Sequence, residues 1–399
     1  MTRDRWIELT VAVALALLAA ALSPWGFTLL TGRPVLSLRV TAVSAAIAIF
    51  LLVVAFALAA RGRARTIGFH LMLWTFPVAL LASLEIGAIA LHLADRILPL
   101  EDNSSLRNQN RYPGYLFSDA RWKDVGDGLR VYRPFTSDGI AINGLGLRTA
   151  APTPKTPDEW RIAVTGGSTL FGYRVLDADT IPARLQGAIR VPDRKVTVYN
   201  FGIEGATLKG ELTVLRRFRD IYAIDQVIFY TGGNDVTLNH MNRDAAGLGL
   251  AAAQTTGFEL VRAALRVVAL WSDQTTPEPA AAVDRNSLRD GIAEAQSYCA
   301  ATAMHCDFFL QPLIFTCKSA SCRQSALAHG VARLYPGMEE ITARIYAGAL
   351  AQDPRHVIDL RDAFDQASGP IYTDFIHVNE EGNRIAAERI AATLSARAP

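Results

Sequence analysis

The chain has 399 residues, half of them apolar, and a formal net charge of only +2. A balance so close to neutrality offers no broad basic surface for a polyanion, so nucleic acid is excluded as a predicted partner. The apolar residues are concentrated in the first hundred positions, which predicts an organisation in more than one part.

Three long apolar runs occupy residues 7–30, 35–60 and 67–94. Each has the roughly 20 residues that a helix needs to cross the hydrocarbon layer of a bilayer. We therefore predict that residues 1–100 form a three-span membrane anchor. Two alternatives stay open for this region: a cleaved signal peptide in the first run, and a buried helical hairpin of a soluble protein.

Positive charges in the short loops predict the orientation of the anchor. With the N-terminus inside, five arginines lie in the cytoplasm and two lie outside. The inner group is Arg3, Arg5, Arg61, Arg63 and Arg65, and the outer group is Arg33 and Arg39. The predicted location is the inner (cytoplasmic) membrane, with the remaining 300 or so residues in the periplasm. Glu85, in the third run, is a candidate partner for His70 or His92.

All four cysteines lie in the part predicted to be outside the cytoplasm, where an oxidising compartment would allow two disulfides. The local pairs Cys299–Cys306 and Cys317–Cys322 are favoured, although the other pairings stay open. A zinc site is the alternative, but these gaps fit no common Cys-x-x-Cys knuckle. We predict no metal and no cofactor.

Residues 101–158 have turn signals, such as Asn143-Gly144, and little periodicity, which indicates an irregular collar and linker between the membrane anchor and the domain that follows. From residue 159 to 399, short apolar runs alternate with helical patterns. The predicted strands are 161–165, 196–200, 226–231, 306–310 and 356–359, and the predicted helices lie near 179–190, 207–221, 286–303, 332–350 and 381–396.

This alternation predicts an α/β domain with a flavodoxin-like, doubly wound parallel sheet, whose sites form at the carboxyl ends of the strands. Residues 236–286 form an insertion longer than a simple crossover requires. It contains an amphipathic stretch near 258–271, for which a lid and an ordinary packed helix are both open interpretations.

Four motifs fall at the predicted edge of this sheet: Gly166-Gly167-Ser168, Gly202-Ile203-Glu204-Gly205, Gly232-Gly233-Asn234-Asp235 and Asp374-Phe375-Ile376-His377. A serine hydroxyl becomes an effective nucleophile when an imidazole removes its proton and a carboxylate holds that imidazole in the right tautomer. Ser168, His377 and Asp374 are the residue types that this chemistry requires.

The order of these motifs resembles the four blocks of the SGNH (GDSL-like) hydrolase superfamily. The resemblance implies that Ser168 is the nucleophile, His377 the base and Asp374 its partner. It also implies an oxyanion hole made by the backbone N–H groups of Ser168 and Gly205 and the side-chain amide of Asn234. The commoner Gly-Asp-Ser is replaced here by Gly166-Gly167-Ser168.

The predicted function is that of a serine esterase that acts outside the cytoplasm, through an acyl-enzyme on Ser168, on O-acyl groups of carbohydrate or envelope polymers. Lipid esters are the second choice of substrate. Two alternatives remain: an O-acyltransferase for exported polysaccharide or a lipid-linked glycan, and an accessory subunit of a membrane complex that retains the fold without using it. A nucleotide-binding module is disfavoured, because no Gly-x-Gly-x-x-Gly run follows the first strand.

Overall fold

The computed structural model describes residues 3–31, 38–60, 62–102, 104–117, 119–190, 193–237, 258–271, 286–323 and 325–397. The chain divides into two compact units, the first containing residues 1–98 and 252–268, the second residues 99–251 and 269–399. Most of the predicted insertion at 236–286 lies outside the described residues.

Within residues 3–31, 38–60 and 62–98, the first unit contains five helices: α1 (Arg3–Leu22), α2 (Pro24–Thr31), α3 (Leu38–Ala59), α4 (Arg63–Ala90) and α5 (Leu93–Ile97). Small side chains let two of these helices approach closely. The buried cluster of α1 and α3 consists of Ala12, Ala19, Ala48 and Ala55 together with Leu15, Leu51, Val54 and Leu58.

Among the described residues, one helix, Arg5–Leu22, is long and apolar enough to cross a bilayer. A second candidate exists only if Arg63–Trp74 and Phe76–Ile89 form one span, bent by 51°. Pro77 lies inside this helix, and proline bends helices because it lacks an N–H and clashes with the preceding turn. The apolar helix Ser44–Ala59 is shorter. The predicted anchor is therefore supported by one helix, and three spans are not shown.

The first strands of the second unit form two short antiparallel hairpins. Strand β1 (Trp122–Asp124) pairs with β2 (Arg130–Tyr132), and β3 (Phe135–Ser137) pairs with β4 (Ile140–Ile142). Their buried side chains, such as Tyr132, belong to the same hydrophobic core as the central sheet. Part of the segment predicted to be irregular thus has regular structure, while its place between membrane and enzyme stays a prediction.

The central sheet has five parallel strands, β5 (Glu159–Gly166), β6 (Lys195–Gly202), β7 (Gln226–Thr231), β8 (His305–Leu310) and β9 (Val357–Asp359), in the order β6-β5-β7-β8-β9. Their alternation with helices confirms the predicted α/β class. The strand order reverses at β5, and such switch points are where open α/β sheets place their ligands.

The α-helices after α5 that lie wholly within the described residues are α6 (Ser168–Phe171), α7 (Ile181–Ala188), α8 (Leu208–Tyr222), α9 (Glu259–Trp271), α10 (Ser287–Ala301), α11 (Ala320–Arg323), α12 (Ala326–Leu334), α13 (Met338–Gln352) and α14 (Glu380–Arg397). Helix α8 illustrates why they pack on the sheet. It buries Leu208, Leu212, Leu215, Phe218 and Tyr222, and this spacing of three and four residues gives a helix one apolar face.

Candidate active site

Ser168 lies at the start of α6, directly after the first strand of the central sheet. Gly166 ends β5, and a Cβ atom there would lie 2.7 Å from the Cβ of Leu170 and 2.8 Å from the carbonyl oxygen of Tyr230. Only glycine lets the chain turn this closely from strand into helix. The turn leaves Ser168 half-buried at the carboxyl edge of the sheet, where the sequence predicted it.

The imidazole of His377 lies between a carboxylate and the serine hydroxyl. Its Nδ1 is 2.6 Å from Oδ2 of Asp374, and its Nε2 is 2.7 Å from Oγ of Ser168. The other carboxylate oxygen, Oδ1 of Asp374, accepts hydrogen bonds from the backbone N–H groups of Ile376 and His377, at 2.9 and 2.7 Å. An Nδ1–H that donates to Asp374 leaves Nε2 as an acceptor for the Ser168 hydroxyl.

Asp374 is buried but is held in its ionised form. Burial by itself raises the pKa of this carboxyl, but the charge of His377 and hydrogen bonds from His377 and Ile376 outweigh it and lower the pKa to about 2. Asp374 is therefore an anion at neutral pH and can stabilise an imidazolium at His377.

The Asn234 side chain lies against the nucleophile turn. Its Nδ2 donates to the carbonyl oxygen of Ala206, at 2.8 Å, and a Cβ atom at position 167 would lie only 2.3 Å from this nitrogen. Gly205, which precedes Ala206, has a φ of +75°, a conformation that favours glycine. The structure thus brings Ser168, Asn234 and the Gly205 loop together. An amide nitrogen carries two N–H groups, so the bond to Ala206 leaves one for a substrate oxygen.

The same geometry explains the departure from Gly-Asp-Ser. Any side chain at position 167 would occupy the space of the Asn234 amide. The φ of Gly167 is −79°, which residues with a side chain also adopt. Glycine is therefore favoured there by the steric clash with Asn234 and not by the backbone conformation.

A buried glutamine that the sequence analysis missed joins the two halves of the site. Nε2 of Gln311 donates to Oγ1 of Thr169, at 2.9 Å, and to the carbonyl oxygen of Ile376, at 3.1 Å. The Thr169 hydroxyl donates to the same carbonyl, at 3.2 Å. Gln311 therefore ties the turn after Ser168 to the turn before His377. The available signal was a polar residue directly after β8, at the edge that carries the other motifs.

Further side chains that were not predicted surround His377. The ring of Tyr173 packs against the imidazole, with centroids 4.4 Å apart, and burial raises the pKa of this tyrosine to about 12. Glu204 forms an ion pair with Arg121, at 3.0 Å. Burial raises the pKa of Glu204, while the positive charge of Arg121 and its hydrogen bond oppose this shift. The histidine thus has an aromatic ring packed against it and a second carboxylate within electrostatic range.

A separate cavity of about 740 Å³ opens beside the amino ends of β8 and β9, with His305, Cys306 and His356 in its wall. The catalytic candidates lie at the opposite, carboxyl edge of the sheet, so this cavity is not part of their site. Within the described residues, no group of three or more His, Cys, Asp or Glu side chains is placed to hold a metal ion.

The cysteines form two disulfides, Cys299–Cys306 and Cys317–Cys322. These are the local pairs that the sequence favoured. The first joins the end of α10 to β8. The second joins Cys317, which lies before α11, to Cys322 within α11.

A doubly wound sheet with a serine after its first strand, and an aspartate and histidine before its last helix, defines a hydrolase of the serine type. The family model described as GDSL-like Lipase/Acylhydrolase matches residues 162–390, and the chain belongs to this family. It is therefore an enzyme of the GDSL/SGNH esterase type, as the resemblance predicted.

Solved structures of hydrolases are similar to this chain at low identity. LAE5, an alpha/beta hydrolase from the metagenome of Lake Arreo, Spain, is 18% identical, with a TM-score of 0.36 over 60% of this chain and 97% of its own. The acetyl xylan esterase AlAXEase is 14% identical, with a TM-score of 0.37 over 59% and 99%. Est24, a carbohydrate acetylesterase from Sinorhizobium meliloti, is 12% identical, with a TM-score of 0.37 over 60% and 100%. A search of curated proteins gave no match.

Proposed function

We propose that the chain is a serine esterase in which Ser168 carries the acyl group. The observation that supports this most directly is the continuous contact from Asp374 to His377, at 2.6 Å, and from His377 to Ser168, at 2.7 Å. Both distances allow hydrogen bonds along the path that the proton must take.

In the first half-reaction, Nε2 of His377 takes the proton of the Ser168 hydroxyl while Oγ attacks the ester carbonyl carbon. The carbonyl oxygen becomes an oxyanion, held by the N–H groups of Ser168 and Gly205 and by the Asn234 amide. The intermediate then expels the alcohol, which receives the proton from His377. Asp374 stabilises the transient imidazolium throughout.

In the second half-reaction, His377 removes a proton from a water molecule as the water oxygen attacks the acyl-enzyme. The acyl group leaves as a carboxylic acid, and the proton returns from His377 to Oγ of Ser168. Each cycle thus consumes one water and restores the serine hydroxyl.

We further propose that the substrates are O-acyl groups of carbohydrate or envelope polymers outside the cytoplasm, with the anchor in the inner membrane and its N-terminus inside. The apolar helix Arg5–Leu22 supports attachment to a membrane. The two disulfides support an oxidising compartment, because thiols in the cytosol are kept reduced.

Labelling with a fluorophosphonate tests the catalytic proposal. The full-length protein in detergent is expected to incorporate the probe at Ser168, and Ser168→Ala is expected to lose both labelling and ester turnover. Ser297→Ala is the matched control, because this serine is exposed on α10 and bonds only its own helix at the Ala293 carbonyl. Undiminished turnover in Ser168→Ala would contradict the proposal.

The substrate proposal has a test of its own. Ester-linked acyl groups on envelope polymers are quantified by mass spectrometry from cells that express the native protein or Ser168→Ala. The variant cells are expected to retain more polymer-linked acyl groups. An unchanged polymer with altered lipid esters would overturn the carbohydrate proposal and leave the esterase chemistry intact.

A further inference from the structure

Helix α9 is amphipathic, but its apolar side is exposed and its charged side is buried. Its exposed side is apolar: Phe258 just before the helix, Val261, Val267 and Val268 are 64, 43, 37 and 52% exposed. Its buried side carries charge, with Glu259 and Arg266 only 7 and 4% exposed. A helix packed on a soluble core shows the reverse distribution.

Two carboxylates hold α9 by capping helix N-termini in both directions. Glu85, on α4, accepts hydrogen bonds from the backbone N–H groups of Glu259 and Leu260 at the start of α9. Glu259 in turn accepts a hydrogen bond from the N–H of Ala94, in the first turn of α5, at 2.9 Å. The first N–H groups of a helix lack partners within it and favour a negative charge. Glu85 thus caps α9 instead of pairing with His70 or His92.

Ion pairs complete the polar contact. Arg266 donates to Asp95 on α5 at 2.6 Å, and Arg262 pairs with Glu259 at 3.0 Å. The charges on this side of α9 are therefore neutralised by neighbours within the same unit. What the helix presents outward is the apolar face formed by Phe258, Val261, Ala264, Val267 and Val268, here called the α9 apolar face.

The turn of α4 that carries Glu85 is preceded by exposed apolar side chains. Val78, Leu81 and Leu84 are 63, 62 and 51% exposed and recur at a spacing of three residues. The α9 apolar face is thus tied, through Glu85, to a helix that exposes apolar residues over its own length. Lipid acyl chains suit both apolar surfaces, because Arg262 and Arg266 of α9 are paired with carboxylates inside the unit.

We propose that α9 is an interfacial membrane helix whose apolar face lies among the lipid acyl chains. Helices of this kind lie in the plane of the interface with one apolar face buried in lipid. The inference rests on the membrane attachment proposed above and goes beyond it. It assigns to the lipid a segment of the chain remote from the N-terminal apolar runs.

Single cysteines labelled with the environment-sensitive fluorophore NBD test the inference. The native cysteines are all in disulfides, so an introduced cysteine reacts selectively. Val261→Cys and Val268→Cys report on the α9 apolar face. Phe56→Cys, on α3 and 80% exposed, reports on the anchor, and Lys209→Cys, exposed on α8, is the control in the second unit.

The full chain is reconstituted into phosphatidylcholine–phosphatidylglycerol vesicles, with or without doxyl-labelled phosphatidylcholine. Probes at Val261 and Val268 are expected to lose about half of their emission to the doxyl lipid and to resist aqueous iodide, as a helix in the interface requires. The probe at Lys209 is expected to behave in the opposite way. Circular dichroism confirms that each labelled variant is folded.

The remaining outcomes overturn the inference in distinguishable ways. Doxyl quenching at Phe56 but not at Val261 would leave the anchor in place and remove α9 from the bilayer. Shielding of Val261 from both quenchers would indicate cover by protein, and a disulfide between Val261→Cys copies would identify a second copy as that cover. Loss of lipid quenching at Phe56 as well would overturn the membrane attachment itself.

Discussion

The absence of one side chain at position 167 determines where the Asn234 amide can lie. The Asn234 Nδ2 occupies the space that a Cβ atom at Gly167 would need, with only 2.3 Å between them. Because the amide also donates to Ala206, it lies between the nucleophile turn and the Gly205 loop. We infer that the glycine positions an oxyanion donor and does not itself take part in the reaction.

Gly167→Ala is expected to displace the Asn234 amide and lower kcat by about a hundredfold or more, with KM little changed, because loss of one oxyanion donor typically costs about 3 kcal/mol of barrier. Steady-state hydrolysis of p-nitrophenyl acetate measures both constants. Gly348→Ala is the control, since a Cβ atom there, within α13, meets nothing within 4 Å. A kcat equal to that of the native protein would show that Asn234 is not the donor.

At the scale of elements, a buried arginine fixes the turn that follows α6. Arg148 donates to the carbonyl oxygens of Phe171, Gly172 and Val175, at 3.2, 2.7 and 2.7 Å, and pairs with Asp177 at 2.7 Å. Phe171 and Gly172 lie at the end of α6, where a helix lacks internal donors, and Val175 lies in the turn that follows. A residue from the segment before the sheet therefore satisfies the helix that begins with the nucleophile.

Arg148→Met keeps an apolar stem of similar length and removes every donor. It is expected to destabilise the second unit by about 1–3 kcal/mol, since it leaves the buried Val175 carbonyl without its donor and an unsatisfied buried carbonyl costs roughly that much. Thermal unfolding monitored by circular dichroism measures the loss. Arg216→Met is the control. Its ion pair with Glu294 is 45% exposed on both sides and is expected to contribute less than about 1 kcal/mol. Equal effects of the two substitutions would contradict the role of Arg148.

At the scale of the whole molecule, two buried aspartates give opposite contributions to the pH dependence of stability. Asp374 has a folded-state pKa lowered to about 2, so its contribution is present above pH ~4 and is lost as the pH falls toward 2. Burial raises the pKa of Asp235 to about 6, against hydrogen bonds from the backbone. Its contribution is present below pH ~4 and is lost as the pH rises through 6.

The Asp235→Asn variant tests this balance. Its amide oxygen can still accept the hydrogen bond from the N–H of Leu208, but it has no proton to lose. Between pH 4 and 7 the native protein is expected to lose up to about 3 kcal/mol of stability relative to the variant, because two pKa units correspond to roughly that energy. Urea unfolding at several pH values measures the difference. A constant difference across this range would contradict a raised pKa at Asp235.

Local patterns in the sequence were sufficient to predict the five strands of the sheet, the four motifs at its edge and the residue types of the triad. The periodicity of apolar residues and the positions of turn residues predict the bounds of such elements to within a few residues. Parallel strands then bring their carboxyl ends to one edge of the sheet. The predicted three-span anchor was supported only for its first helix. The length and apolarity of a run do not reveal the 51° bend in α4, nor that the apolar helix Ser44–Ala59 is shorter than a span.

The tertiary structure alone decided which distant polar groups meet. Gln311 bonds Thr169 across 142 positions, and Glu85 caps α9 across 174. A local sequence pattern does not predict such contacts. A buried polar group must find a hydrogen-bond partner, but only the packing of the whole chain decides which residue that partner is. The sequence alone thus determined the elements and the chemistry at the sheet edge. Packing decided how that chemistry is held in place and turned the apolar face of α9 outward.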